Sequence, residues 1–393
     1  MLHSRRFPEV PLRAESIAVA PSPVAVPAES GRQLPFDWLR GLVMVLMTID
    51  HASGEFNAGR LFTDATFLYQ PGTPLAADQF LTRWITHLCA PTFVFLAGYV
   101  MQLSVRRRRE QGESEGSITR FIVTRGLIIA ALDPLWMHLV FRPPGGAIVL
   151  QVLYAIGMSF VVMAFLRKLP PLTIGVLGVL LVFLSEPLQA LVRQTTGVVQ
   201  YMGTLLVAAG PAKPFLVGYP LIPWLAIMMM GWGAADVARS VPDRFPRRIA
   251  LAGVVALLSF FLVRGLNGWG NMGLFREDGS LVQWLHVSKY PPSVAYDGLE
   301  LGIGWLLLAL FLVWRPPAWA DAVLRPLGQS AFFFYLLHAH LLAVASYALG
   351  MHHTAGLGAT YVSSAVVVAV LIPACNGYRR YKLAHPRSLA QYI

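Results

Sequence analysis

"APTFVFLAGYVMQLSVRRRR", residues 90–109, runs for sixteen residues without a charge and then sets four arginines in a row. Extended back to Trp84, the stretch predicts a helix over 84–105. At 1.5 Å rise per residue such a helix crosses a hydrocarbon layer about 30 Å thick. The arginines that close it read as the anchor that holds this helix end on the basic side of a membrane.

The same alternation recurs along the chain. Of the 393 residues 56% are hydrophobic and only 13% charged, and the mean hydropathy is +0.58, well above that of a soluble protein of this length. Spans are expected near 35–52, 84–105, 120–140, 147–166, 170–186, 215–236, 247–265, 291–314, 326–349 and 357–377, an all-α polytopic bundle of about ten transmembrane helices. The net charge of +11 does not point to nucleic acid, because 23 of the 31 Lys and Arg fall on alternate loops of this scheme. That bias puts both termini in the cytoplasm.

Residues 1–34, with "VAPSPVAVPAES", read as a disordered cytoplasmic leader, 35–377 as the membrane domain and 378–393 as a basic cytoplasmic tail. The two cysteines, Cys89 and Cys375, lie in separate spans with no paired motif and read as packing residues. Pro91, Pro134 and Pro223 interrupt apolar runs, and the backbone groups they free need protein or water partners. No match relates the two halves, which disfavours an inverted-repeat transporter. The loops after the first, fifth and seventh spans mix aromatic, amide and charged residues that could bind a polar acceptor such as a sugar; interfacial aromatic belts explain many of them equally well.

On the first helix Asp37, Arg40, Met44, Thr48 and His51 follow three- and four-residue spacing and share one stripe. Arg40 and His51 stand about 16 Å apart along the axis. Asp50 points roughly 100° away from His51, toward a neighbouring helix or loop. Antiparallel packing of the second helix brings His87 level with this pair, so Asp50, His51 and His87 are the candidates for acid–base chemistry: an imidazole titrates near neutrality and a nearby carboxylate orients it. Ionisable groups in apolar spans are costly and functional by default, whereas hydrogen-bonded caps at an interface are the plain alternative for each taken singly. Arg40 and Arg125, on the basic side, could hold phosphates through charge-assisted bonds or snorkel to headgroups. Asp133, in "ALDPLW", is a candidate partner for a buried histidine. Of His338 and His340 at most one faces the core, and His338, which shares a face with Ser330, is preferred. The chain carries no HExxH, no zinc-spaced Cys or His cluster and no Gly-rich nucleotide loop, so no metal is expected.

"PFDWLRGLVMVLMTIDH" (35–51) and "TRWITHLCAPTFVFLAG" (82–98) resemble the bacterial relatives of heparan-α-glucosaminide N-acetyltransferase, multi-spanning membrane acyltransferases. "IVLQVLYAIGMSFVVMAFL", "YPLIPWLAIMMMGWG", "KYPPS" and "FFFYLLHAHLL" are similar to that family in the same order, which extends the likeness over roughly 33–377. The resemblance implies transfer of an acetyl group from cytosolic acetyl-CoA to a sugar across a bacterial cell membrane, with a histidine central to catalysis. In the lysosomal enzyme that histidine follows an asparagine at the outer end of the first helix of the catalytic domain. His51 occupies the asparagine's position here and the histidine's loop has no match, so His51 and His87 are both open for its role.

The reading is therefore an acyltransferase with Asp50, His51 and His87 at the catalytic end and acyl-CoA phosphates at Arg40 and Arg125. Asp133, His338 and Lys289 are the candidates for binding substrate. Expected partners are membrane lipid, acyl-CoA and a sugar or glycan acceptor, with a homodimer left open. A proton-coupled transporter of a small polar molecule, using Asp50 and the histidines as a relay, is the alternative.

Overall fold

Apolar runs long enough to span, separated by Pro, Gly and charge, fold into helices wherever backbone groups have no water to bond with. The computed structural model describes residues 34–141, 145–385 and 388. In chain order the elements are α1 (Leu34–Phe56), α2 (Ala77–Trp84), α3 (Cys89–Glu110), α4 (Glu115–Leu135), β1 (Ile148–Leu150), α5 (Val152–Leu166), α6 (Pro171–Arg193), α7 (Gly197–Leu206), β2 (Gly210–Ala212), β3 (Phe215–Val217), α8 (Leu221–Ser240), α9 (Phe245–Leu266), α10 (Leu281–Leu285), α11 (Val294–Val313), α12 (Ala318–Gln329), α13 (Ala331–Ala348) and α14 (Leu357–Ala384).

The fold is an all-α polytopic bundle, and each expected span contains one long helix. By length and composition seven helical stretches among the described residues can cross a membrane: Ala77–Glu110, Pro171–Arg193, Leu221–Ser240, Pro242–Leu266, Val294–Val313, Ala331–Ala348 and Leu357–Ala384. Of the helices in the other three expected spans, α5 is short, at 15 residues, while α1 and α4 are interrupted by charge: Asp37, Arg40, Asp50 and Glu55 in one, Arg120, Arg125 and Asp133 in the other. Several boundaries differ from expectation. The expected 326–349 span divides at Ser330 into α12 and α13, and β1 and β3 take the first residues of two others. The expected tail from residue 378 continues α14 as far as Ala384. The leader lies outside the described residues, apart from Leu34.

Three prolines that interrupt apolar runs sit where they cost little. Pro91 and Pro223 fall in the first turns of α3 and α8, where an N–H has no intrahelical partner to lose, and Pro134 falls in the last turn of α4. Arg107, Arg108 and Arg109 occupy the last turn of α3, where they complement the helix dipole, and Arg108 and Arg109 reach across the turn to Glu113 (2.7 Å) and Glu115 (2.6 Å). This end of the bundle is called the arginine end below; Asp50, His51 and His87 lie at the opposite, histidine end.

The membrane core centres on α3 and α8, each 72% buried over its most apolar window, whereas α9 and α14 are 28% and 22% buried and present apolar side chains outward. In lipid, helices gain little from apolar burial against each other and rely on close backbone approach at small residues. Gly98 of α3 and Gly231 of α8 provide it: an added Cβ would lie 2.0 Å from the Met228 carbonyl oxygen at one and 1.9 Å from that of Phe95 at the other. At the histidine end a short sheet, β1 parallel to β3 and β3 antiparallel to β2, ties the chain before α5 to the chain before α8. The loop after α9 folds around Arg264, which is fully buried and donates to Asn271 Oδ1 (2.6 Å), Leu274 O (2.9 Å), Trp284 O (3.2 Å) and Gln283 O.

Gly98→Ala and Gly231→Ala are each expected to destabilise the purified protein by about 1–3 kcal/mol, since neither opposing carbonyl can withdraw without parting the helices. Gly358→Ala, a position with open space around it, is the control. Thermal unfolding in detergent checks this, and an unchanged midpoint in both central variants would contradict the close approach.

Candidate functional site

The stripe expected on α1 exists: Asp37, Met44 and Thr48 are buried, and Arg40 and His51 are partly so at its two ends. Buried ionised groups need partners, and those at the histidine end come from four separate segments. Arg83 of α2 donates from Nη1 to Asp50 of α1, and from Nε (3.1 Å) and Nη2 (2.7 Å) to the Oδ2 of Asp64 in the loop between α1 and α2. Nη2 also reaches the Tyr290 hydroxyl at 3.2 Å. Arg60 donates to Asp50 Oδ1 at 2.9 Å and to the Asp50 carbonyl. His87 Nε2 lies 3.0 Å from Asp64 Oδ2 and donates to it when the ring is neutral, which leaves Nδ1 without a partner. Burial by itself would push the Asp64 carboxyl up, but Arg83 and the His87 bond hold it well below the usual carboxylate range.

Asp50, then, does not orient an imidazole. Both arginines claim it, and Asp64 takes the orienting role at His87. Asp50 turns to a neighbouring helix and loop, as its angle around α1 implies, while the carboxylate–imidazole contact expected of it is absent because the Coulomb attraction of two guanidinium groups outweighs a bond to a neutral ring.

His51 finds a different partner. Its Nδ1 lies 2.7 Å from Nε2 of His338 on α13, and the two ring planes are nearly parallel, at 14°. His338 is fully buried, and its Nδ1 lies 3.1 Å from the Phe334 carbonyl oxygen, one turn earlier on the same helix. A carbonyl only accepts, so in the neutral ring His338 carries its hydrogen on Nδ1 and offers a lone pair on Nε2. His51 must then donate from Nδ1, and its own Nε2 is left as a lone pair. Phe141 and Tyr335 stand edge-on to the His51 ring at 5.0 and 6.4 Å between centroids. The arrangement fixes the His51 ring from behind with a second imidazole and, when that ring is neutral, presents a lone pair on Nε2.

The remaining candidates separate. Lys289 is buried, its ammonium lies 5.2 Å from the Tyr290 ring centroid, and its backbone N–H donates to the Asp64 carbonyl at 2.9 Å, so "KYPPS" lines the same centre. Asp133 does not pair with a histidine: its Oδ2 accepts from the backbone N–H groups of Gln151 (2.8 Å) and Tyr154 (2.7 Å) and caps α5 from the side. At the arginine end Arg40 Nη1 donates to Asp37 Oδ1 (3.1 Å), whereas the Arg125 guanidinium lies 5.8 Å from the Phe160 ring centroid with a buried, unpartnered Nε. His338 faces the core as preferred, and the Ser330 hydroxyl bonds the Cys375 carbonyl at 3.1 Å instead of the ring.

Arg60, Asp64, Arg83 and Tyr290 belong to the site and were not singled out by sequence reasoning. Arg83 carried a readable signal, a cation immediately before the expected span 84–105 and four residues before His87. Asp64 carried none, because a lone acid in a loop has no periodicity to place it.

A model of the family described as heparan-alpha-glucosaminide N-acetyltransferase, catalytic, matches residues 32–263. The matched region includes Asp50, His51, Asp64, Arg83 and His87; Lys289 and His338 lie beyond it. Among curated proteins no match was found.

Asp64 has a depressed carboxyl pKa in the fold, so its contribution to stability is present above the unfolded value of about 3.9 and is lost as the pH falls from there toward the folded value. Asp64→Asn leaves the buried Arg83 half-paired and is expected to lose about 3 kcal/mol at neutral pH. The gap to wild type should narrow as the pH drops below about 4. Thermal unfolding as a function of pH checks both, and equal stability at neutral pH would contradict the buried pairing.

Proposed function

The chain belongs to the heparan-alpha-glucosaminide N-acetyltransferase catalytic family, a membrane protein with an acetyltransferase-like domain, and on that premise we propose that it moves an acetyl group from cytosolic acetyl-CoA to a sugar or glycan on the other side of the membrane. The observation that carries this reading is the His51–His338 pair. An imidazole with one nitrogen anchored and the other presenting a lone pair is what removal of a proton from a hydroxyl or amine requires.

In this mechanism the acceptor O–H or N–H gives its proton to His51 Nε2 as the acceptor atom forms a bond to the acetyl carbonyl carbon. The C–S bond then breaks, and the leaving thiolate takes the proton back from His51. His338 accepts the hydrogen bond from His51 Nδ1 throughout, which stabilises the ring as it gains charge. The buried Lys289 ammonium faces the same centre and supplies positive charge toward an acceptor oxygen or the developing oxyanion. His87, anchored by Asp64 with Nδ1 unpartnered, presents a second lone pair and is the rival base. Arg40 and Arg125, at the arginine end, take the donor's phosphates; the extended pantetheine arm is comparable to the span of about 16 Å from Arg40 to His51 along α1. The arginine bias supports a cytoplasmic location for that end and for both termini.

Purified protein given labelled acetyl-CoA and a panel of amino sugars is expected to release thiol and label a sugar. His51→Gln should lower kcat by roughly 100- to 10,000-fold while acyl-CoA still binds, because proton removal is lost and donor contacts are not. His338→Phe should cost less than His51→Gln and shift the pH profile of the remaining turnover. Near-wild-type turnover in His51→Gln with a large loss in His87→Gln would transfer the role to His87. Absence of thiol release with every acceptor would overturn the transferase reading.

A further inference from the structure

At the arginine end, away from the histidines, three chain segments enclose a cavity of about 490 Å³: the last turn of α3, the α5–α6 turn and the last turns of α8. Its walls carry Arg106, Arg109, Arg167, Lys168 and Arg239 against a single acid, Asp236. Basic residues that serve only as a topological anchor extend outward to the headgroups. Here they converge from separate segments, and the Arg167 side chain is fully buried, tied to the Glu115 carboxylate and carbonyl, Thr119 Oγ1 (2.8 Å) and the Ala164 carbonyl (3.1 Å). Arg167 is thus a fixed positive wall.

The other cations are available. Arg106 pairs with Glu110, and Arg239 with Asp236, both at 2.7 Å, but Arg106 and Arg239 are 43% and 49% exposed, and exposed pairs contribute little and re-form easily. Arg109 shares Glu115 with Arg167. The Lys168 side chain is exposed and makes no ion pair among the described residues. Two residues that line the cavity, Trp232 and Gln102, 2% and 7% exposed, also carry a buried polar atom without a partner, Nε1–H of the first and Oε1 of the second. Bringing a polar group out of water without a bond is costly, and an orphan N–H donor behind a ring of cations fits an anion's oxygen.

We propose that this cavity binds an organic phosphate: one or more phosphate groups held by Lys168, Arg106, Arg109 and Arg239, with an organic body against Trp232. The volume is in the range of pockets that enclose small organic ligands, well beyond what an inorganic phosphate fills. Planar guanidinium groups and a mobile ammonium are the groups that recognise phosphate oxygens. The phosphate comes either from a soluble nucleotide or from an anionic lipid headgroup of the adjoining leaflet. The site does not depend on the acetyl-transfer reading, since none of its residues belongs to the His51 centre or to the Arg40 and Arg125 pair.

Two probes separate the sources. Full-length protein in detergent is titrated with labelled adenosine 5′-triphosphate, which lacks the 3′-phosphate of the acetyl donor, by equilibrium dialysis with excess unlabelled CoA present to fill the donor site, and with phosphatidylglycerol against phosphatidylcholine by native mass spectrometry. One of the two is expected to bind saturably and to lose at least roughly tenfold in affinity in the triple variant Arg106→Gln/Lys168→Gln/Arg239→Gln; the probe that does so names the source. Lys168→Glu, a change at an exposed and unpaired side chain, should weaken the same probe and serves if the triple variant does not fold. Saturable binding of neither probe, or equal binding of both by wild type and Lys168→Glu, would overturn the proposal.

Discussion

Arg83 between Asp50 and Asp64 is the contact on which the histidine end depends. Three ionised groups held in a largely apolar bundle are tolerable only together, because any one alone would bear the full cost of leaving water. Through them α1, α2, the loop that carries Asp64 and the segment at Lys289–Tyr290 are drawn to one place. The pairing also decides what the histidines can do. With Asp50 taken by Arg83 and Arg60, His51 has no carboxylate and turns to His338; with Asp64 within reach, His87 has one. Two imidazoles at the same end of the bundle are thus anchored by different groups.

The two ends of the bundle have opposite characters. At the arginine end cations outnumber acids around an open cavity and many remain exposed. At the histidine end charges are buried, closely paired and joined to neutral rings. Phosphate-bearing ligands suit the first and proton transfer the second, and α1, with Arg40 near one end and His51 near the other, connects the two.

The helices were legible in the sequence because each span's apolar length and its flanking charge are local properties, and residue 326–349 misled only in that Ser330 breaks the run without any break in hydropathy. His51 and His87 were legible as polar interruptions on apolar faces. Their partners were not: His338 lies 287 positions from His51, and no spacing rule reaches that far. Asp133 was legible as a buried acid, yet its role as a lateral cap on α5 depends on where the chain after β1 returns, which periodicity does not encode. The likeness noted over roughly 33–377 is matched by the family over 32–263, the part that holds Asp50, Asp64, Arg83 and both candidate bases.

Everything proposed for the histidine end turns on His338 accepting a hydrogen bond from His51 Nδ1 and so leaving the His51 Nε2 lone pair free. Solid-state NMR of the protein with nitrogen-labelled histidine, reconstituted in lipid at neutral pH, tests it directly, with His51→Gln and His338→Phe used to assign the signals. The account predicts that both rings carry hydrogen on Nδ1, with a coupling across the hydrogen bond from His51 Nδ1 to His338 Nε2. A His51 ring protonated on Nε2, or no coupling between the two rings, would contradict it.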